Sequence, residues 1–381
     1  MWEHARYLAS VGHEVTFVAA RYRGSAQEET LDGIHVVRLG GIHSMWMRSF
    51  LYYRSRGRGR FDVVVAEGFG GSRIPRMTPL YVREPIITEW HQVHRDLFAV
   101  QYPRLMQGPL NLLERFTAWV HRDTLVRAGT EEVRQDFLRL GFKNVFVLPV
   151  SIREDWLSSP TPPLQLGSDL PIRRYAHLPR ASHAGTPKEA GKQVLWLGKL
   201  RRYKCPDHLV RALAEVIEHE PSARLVLAIR RDDTKYEAEL RRLVGELHLQ
   251  DRVEFRLDVS EEEKLDLFLT SQVLVVPSVV EGFGIVVLEA NACGVPVVAS
   301  SGVPEGAVRD GFNGLRYPFG DTQALAGAIV RLLGDPALYA RLSQNASANV
   351  ERFRWSRVGA EFERVVVQAH TSRQPDRVAQ G

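Results

Sequence analysis

Two glutamates, a glycine turn and two lysines are the residues of this chain whose types and spacing could do chemistry. The segment Val280-Glu281-Gly282-Phe283-Gly284 follows an apolar run and leads through Leu288-Glu289-Ala290 to Gly294. Gly282 and Gly284 permit a tight turn with backbone amides exposed at a helix start, where the positive end of the dipole favours an anion. Glu281 stands at the turn and Glu289 lies eight residues on. At about 1.5 Å rise per residue, their carboxylates would be on the order of 12 Å apart. That separation suits a ligand with hydroxyls at both ends and an anion between them, which is the form of a nucleotide sugar. A lone glutamate is more often a solvated loop carboxylate or a local cap. Glu289, however, follows Val286, Val287 and Leu288, so its carboxylate needs a hydroxyl or a cation as partner.

A second cluster is cationic. The apolar run Leu195-Trp196-Leu197 ends in Gly198-Lys199-Leu200-Arg201-Arg202-Tyr203-Lys204, a strand end that is either solvated or turned to an anion. In the first half, Ile86-Ile87-Thr88-Glu89-Trp90-His91 ends an apolar strand in a histidine, a structural residue or one facing a cleft. His91 and His94 have the spacing of a metal pair but lack further ligands. None of the glycine pairs at 57–59, 68–70 or 282–284 continues to the dinucleotide fingerprint, and no phosphate-loop G-x-x-x-x-G-K-[ST] occurs. A nicotinamide dehydrogenase and a P-loop ATPase are thereby disfavoured. No Asp-x-Asp is present either, so no metal is expected at a nucleotide site.

The elements that must position these residues alternate. Strands are expected near Val15–Ala20, Ile34–Leu39, Asp62–Ala66, Ile86–Trp90, Thr124–Ala128 and Val145–Leu148, with helices at Trp2–Val11, Pro109–His121 and Glu131–Leu140. Their apolar runs are continuous, as in parallel strands covered on both faces. Six prolines between Ser158 and Ala190 mark a connector. Alternation then restarts: strands at Gln193–Gly198, Arg224–Ile229, Arg252–Leu257, Gln272–Pro277 and Pro296–Ala299, helices at Pro206–His219, Tyr236–Leu247 and Glu261–Thr270, a helix to Ala292, and closing helices from Asp321. The expected architecture is α/β, with two doubly wound Rossmann-like domains and the ligand in the cleft between them. The expected boundaries are 1–165 for the first domain, 166–190 for a proline-rich linker, 191–354 for the second domain and 355–381 for a crossover helix and tail.

Bulk properties bound this reading. The 381 residues are 44% hydrophobic and 25% charged, a globular balance sufficient for two cores. Lys and Arg number 50 against 45 acids, a net +5, too small a surplus to mark a nucleic-acid binder. No run approaches the roughly 18 apolar residues of a membrane span. Cys205 and Cys293 form no metal spacing, in keeping with a cytoplasmic location. Arg54, Arg56, Arg58 and Arg60 fall within seven residues. Such runs are usually solvated loops; contact with an acceptor or with the inner face of a membrane is the other reading.

The pattern E-G-F-G-x-x-x-L-E-A-x-A-x-G-x-P-V-V at 281–298 resembles that of the family-4 retaining glycosyltransferases, glycosyltransferase group 1, which have the GT-B fold. The resemblance extends over nearly the whole chain. It implies transfer of a sugar from a nucleotide-diphosphate donor to an acceptor hydroxyl of a glycan, a lipid-linked sugar or a small molecule, giving an α-glycoside. It implies that Glu289 holds the donor ribose, while Glu281 and the amides around Phe283 and Gly284 hold the transferred sugar. Lys199 and Lys204 would bind the diphosphate, with Lys199 replacing the family's usual arginine and Arg201 or Arg202 sharing the load. His91 would face the reacting sugar. No cofactor is implied beyond the donor itself. A nucleotide-sugar epimerase and a non-catalytic nucleotide-sugar-binding protein are the alternatives. Family members open with a strand and a glycine-rich loop, whereas this chain begins inside the helix that precedes Gly12-His13-Glu14-Val15-Thr16. The resemblance thus implies either a start downstream of the natural one or a shortened homologue. After the last strand, Ser300-Ser301-Gly302-Val303-Pro304-Glu305 matches the family's small-residue turn.

Overall fold

The computed structural model describes residues 1–41, 44–69, 75–152 and 192–372. The proline-rich connector expected at 166–190 lies outside the described residues. The first half runs α1 (Trp2–Ser10), β1 (Thr16–Ala19), β2 (Glu28–Leu31), β3 (Ile34–Arg38), α2 (Met45–Tyr52), β4 (Val64–Glu67), β5 (Ile86–Glu89), α3 (Arg95–Gln101), α4 (Arg104–His121), β6 (Leu125–Ala128), α5 (Glu131–Leu140) and β7 (Asn144–Val147). The second half runs β8 (Gln193–Lys199), α6 (Pro206–His219), β9 (Arg224–Arg230), α7 (Thr234–Glu246), β10 (Val253–Leu257), α8 (Glu261–Thr270), β11 (Val273–Val276), α9 (Ile285–Ala292), β12 (Val297–Ser300), β13 (Gly314–Tyr317), α10 (Thr322–Gly334), α11 (Pro336–Val350) and α12 (Trp355–Thr371).

The second half is one six-stranded sheet in the order β10-β9-β8-β11-β12-β13, and every pairing in it is parallel. The chain enters at β8, winds outward to β10, and crosses back to β11 on the other flank. This reversal opens a crevice beyond the carboxyl ends of β8 and β11. Helices cover both faces, so β11 and β12 are buried along their whole length, which is why their sequences are unbroken apolar runs. Local signals set the ends: Pro206 starts α6, a Ser260–Glu263 capping box starts α8, and Asp321 and Asp335 cap α10 and α11.

The first half, expected as a Rossmann-like domain lacking its opening strand, is divided. Its strands form two sheets, β1-β3-β2 and β4-β5-β6-β7. β2 pairs antiparallel with β3 around Asp32 and Gly33, both at positive φ (50° and 76°), the geometry of a tight type I′ hairpin. β1 and β4 are terminal strands of their sheets, and among the described residues no ladder joins them. Side chains bridge the break. Leu8 of α1 packs with Ile87 of β5, Leu148 and the α12 residues Val358 and Phe362, and Val15, Val63 and Val65 join the same cluster. Helix α12 thus returns from the second half onto the first. It lies so close to α1 that a Cβ on Gly359 would stand 2.4 Å from the Tyr7 ring.

His4 sits in this seam, buried and stacked on Phe362 with ring centroids 4.2 Å apart. Desolvation pulls its imidazole down to about 3, and Arg127 adds to this while Glu89 opposes it. Because the folded pKa lies below the ordinary value near 6.5, the unfolded chain binds the extra proton between pH 6.5 and about 3. The stability held above pH 6.5 is therefore lost as pH falls through that window. Urea midpoints measured from pH 7 to 4 should decline, and less steeply in His4→Gln. Parallel slopes would remove His4 as a cause.

Candidate functional site

The crevice is built from the ends of β8 and β11. Beyond β11 the chain reaches Ser278, whose carbonyl accepts from Ser300 Oγ at 2.5 Å. Val279 N–H donates to Tyr203 O at 2.8 Å and Glu281 N–H to Gly302 O at 3.0 Å. The 278–281 loop is thereby tied to the 3-10 turn Arg202–Lys204 on one side and to the loop after β12 on the other. Gly302 is needed for this approach, since a Cβ there would stand 2.1 Å from Val279 O.

Two of the sequence-predicted residues meet here. Lys204 Nζ forms an ion pair with Glu281 Oε1, and Ser278 Oγ donates to the same carboxylate oxygen at 2.7 Å. Glu281 is only 8% exposed. Burial pulls the Lys204 ammonium down, but the Glu281 carboxylate outweighs this and holds it above its ordinary value. Lys204 therefore stays charged, as a group facing an anion must. Lys199 ends β8 on the same crevice edge and is exposed, and among the described residues no carboxylate pairs with it.

Arg201 and Arg202 are committed elsewhere. Arg201 pairs with Asp232. Arg202 donates to both Glu239 oxygens at 2.8 Å and lies 4.7 Å over the Tyr236 ring. Neither arginine is thus free for the share of a diphosphate that the resemblance would give it.

Gly284 has φ 87° and caps α9 from the left-handed region, which favours glycine. The first amides of a helix have no intrahelical acceptor, so this turn offers donors beside the Lys204–Glu281 pair. The Phe283 ring points the other way, buried against Phe353 with centroids 5.4 Å apart, so only its backbone is available to a ligand. Glu289 is brought to a cation, with Lys264 Nζ of α8 2.8 Å from Glu289 Oε1 and 2.9 Å from Glu261 Oε2. No sequence signal linked α8 to Glu289, and Lys264 was not foreseen.

The first half presses on the same turn. A Cβ on Gly282 would stand 2.5 Å from the His91 carbonyl oxygen, and one on Gly129 would stand 3.3 Å from Gly282 O. The loops after β5 and β6 thus abut the glycine turn, and His91 is placed at the crevice. His91 reaches solvent while protein crowds round it. Desolvation lowers its pKa, with Glu89 opposing and Arg127 assisting, so the ring is neutral at pH 7. The loop is pinned from behind by Glu114 of α4, which accepts from His94 N–H at 3.0 Å and from His94 Nδ1 at 2.7 Å. Glu114 was also missed. It lies 23 residues from His91 in the sequence, and only the buried position of a helix glutamate distinguishes it.

Beneath His91, Glu89 and Arg127 form a buried pair across β5 and β6 at 2.8 Å. Burial would raise the Glu89 carboxyl, but Arg127 and then His4 bring it below its ordinary value.

Residues 180–349 match the family model for glycosyl transferases group 1. Among curated proteins, the chain is 33% identical over 183 residues to a D-inositol 3-phosphate glycosyltransferase of Streptomyces bingchenggensis, covering 46% of this chain and 40% of that protein. It is 39% identical over 172 residues to the protein of the same name from Acidothermus cellulolyticus, covering 43% and 38%. The aligned region is thus about two-fifths of each relative's length. Among solved structures, sucrose-phosphate synthase from Thermosynechococcus elongatus superposes with TM-score 0.74 at 22% identity, covering 97% of this chain and 92% of that one. WaaG, a glycosyltransferase involved in lipopolysaccharide biosynthesis, gives 0.69 at 16% identity, covering 96% and 94%. Anabaena HepE, solved with UDP and glucose, gives 0.66 at 18%, covering 87% and 86%. The crevice at the β8–β11 reversal therefore lies in a glycosyl transferases group 1 domain at residues 180–349, and the chain has the GT-B fold of the solved structures it superposes on.

Proposed function

We propose that the protein is a retaining glycosyltransferase that moves a sugar from a nucleotide-diphosphate donor to an acceptor hydroxyl, giving an α-glycoside. The observation that carries the reading is the meeting of Lys204, Glu281 and Ser278 at the start of α9, directly where the His91 loop touches Gly282. A cation, helix amides and a buried carboxylate in one place match a leaving diphosphate and a sugar hydroxyl. In the proposed step, the bond from the anomeric carbon to the diphosphate oxygen breaks. The acceptor oxygen bonds to that carbon on the same face, and its proton passes to the departing phosphate. Lys199 and Lys204 take up the charge on the diphosphate, Glu281 and His91 orient the sugar, and Glu289 reaches the ribose, exchanging part of its contact with Lys264. No protein base is required, in keeping with a neutral His91.

A thermal-shift screen with nucleotide-diphosphate sugars differing in base and sugar tests this. A ligand at 100 times its Kd should stabilise the fold by about 2.7 kcal/mol. Glu289→Ala should weaken the responding donor by roughly 1–3 kcal/mol through the lost ribose bond. A panel that shifts nothing overturns the reading, and an unchanged affinity in the variant removes Glu289 from the donor site.

A further inference from the structure

Helix α4 carries a surface the crevice does not use. At about 100° per residue, Leu105, Leu112, Phe116 and Trp119 fall within about 60° of one another on the helix. All four are exposed, Leu105 at 92%, Leu112 at 70% and Trp119 at 56%. The opposite face, with Glu114, Thr117, Ala118 and His121, is buried. An apolar stripe roughly 21 Å long, with an aromatic stack of Phe116 on Trp119 at 5.9 Å, is larger than the scattered apolar residues of an ordinary surface.

The flank of the stripe says what covers it. Arg104, Arg115 and Arg122 lie within about 20° of each other along one side, and Arg122 sits 5.4 Å over the Trp119 ring while pairing with Asp123 at 3.2 Å. Among the described residues no carboxylate pairs with Arg104 or Arg115. The single acid of the helix, Glu114, is on the buried face. A second copy laid on the stripe would bring arginine rows together, and Asp123 at their end is already paired with Arg122 and Lys143. An anionic lipid surface supplies the complement: acyl chains for the stripe, headgroup charges for the arginines, and the interfacial depth that tryptophan prefers. The run at Arg54–Arg60 is less suited, since Arg56 is held by Glu28 at 2.9 Å and Arg54 lies over Phe50.

We propose that the exposed stripe of α4 docks the protein on an anionic bilayer, lying in the plane of the headgroups. This goes beyond the transfer reaction and does not depend on it. Because Glu114 on the inner side of the same helix grips the His91–His94 loop, docking would set that loop about one helix diameter, roughly 10–12 Å, from the headgroups.

The test is co-sedimentation of the full chain with vesicles of phosphatidylcholine, with and without an equal share of phosphatidylglycerol. The wild type should bind the anionic vesicles at least tenfold more tightly than the neutral ones. The pairs Phe116→Ser/Trp119→Ser and Arg104→Glu/Arg115→Glu should each lose at least tenfold while melting as the wild type does. If the aromatic pair fails to fold, Leu105→Gln/Leu112→Gln reports on the other end of the stripe. Absence of wild-type binding, or undiminished binding by the folded variants, overturns the proposal. So does a wild-type dimer in light scattering that the aromatic pair turns into a monomer, because a second copy would then cover the stripe.

Discussion

Replacing Lys204 with alanine should lower turnover about 10²–10³-fold, the usual cost of removing one preorganised partner of a developing negative charge. Three features set the size of the effect. The ammonium is largely enclosed, held in its charged form by Glu281, and placed beside the amino end of α9. Arg201 and Arg202, which precede it in the sequence, cannot replace it, since they are held by Asp232 and Glu239. Initial rates of nucleoside-diphosphate release, with melting temperature as a control on folding, read the effect. A lysine that served only to hold Glu281 would give a different result. In that case Glu281→Gln, which also breaks the ion pair, would reproduce the loss and the double variant would add nothing. A double-mutant cycle separates the two roles. Rates within threefold of wild type would return Lys204 to a structural part.

Replacing Arg127 with methionine should cost about 3–5 kcal/mol, because it leaves the Glu89 carboxylate buried without its counter-ion. The guanidinium also donates to Pro149 O at 2.8 Å, so the end of β7 loosens with it. Urea unfolding followed by circular dichroism measures the loss. The companion variant Glu89→Leu/Arg127→Met should recover most of it, since an apolar pair of similar volume removes the unpaired charge. A single-variant cost below about 1 kcal/mol would mean that water reaches Glu89 and that the pair is not as dry as its burial indicates. Glu89 lies two residues before His91, so the single variant should also disturb the crevice.

Much of this architecture is legible in the residues, and the failures have physical causes. In the second half, helix ends at Pro206 and His219 and at Glu261 and Thr270 are read from the sequence as the structure has them, because proline, a capping box and a strong apolar period mark them. β2 escapes notice: Glu28-Glu29-Thr30-Leu31 is polar and exposed on a sheet edge, so no apolar run announces it, although Asp32-Gly33 is a hairpin signal. α2 and α3 are short and lack capping side chains. α4 is expected from Pro109 but begins at Arg104, because its first turn is exposed and shows no inward stripe. At the site, Glu281 is singled out by its type and place at the glycine turn, and Lys204 by the family resemblance. Their meeting is not, since 77 residues separate them and only the reversal from β8 to β11 brings them together. The arginine partners are hidden for the same reason.

The break between the two sheets of the first half has a thermal consequence. Across β1 and β4 no described backbone ladder carries cohesion; it is carried by Leu8, Val15, Val63, Val65, Val358 and Phe362. Apolar cohesion weakens on cooling, whereas ladder hydrogen bonds do not share that dependence. The seam between α1, α12 and the strands is therefore the part of the molecule that loosens first in the cold. Because α12 belongs in sequence to the second half yet closes this seam, such loosening would slacken the link between the two halves without disturbing the six-stranded sheet.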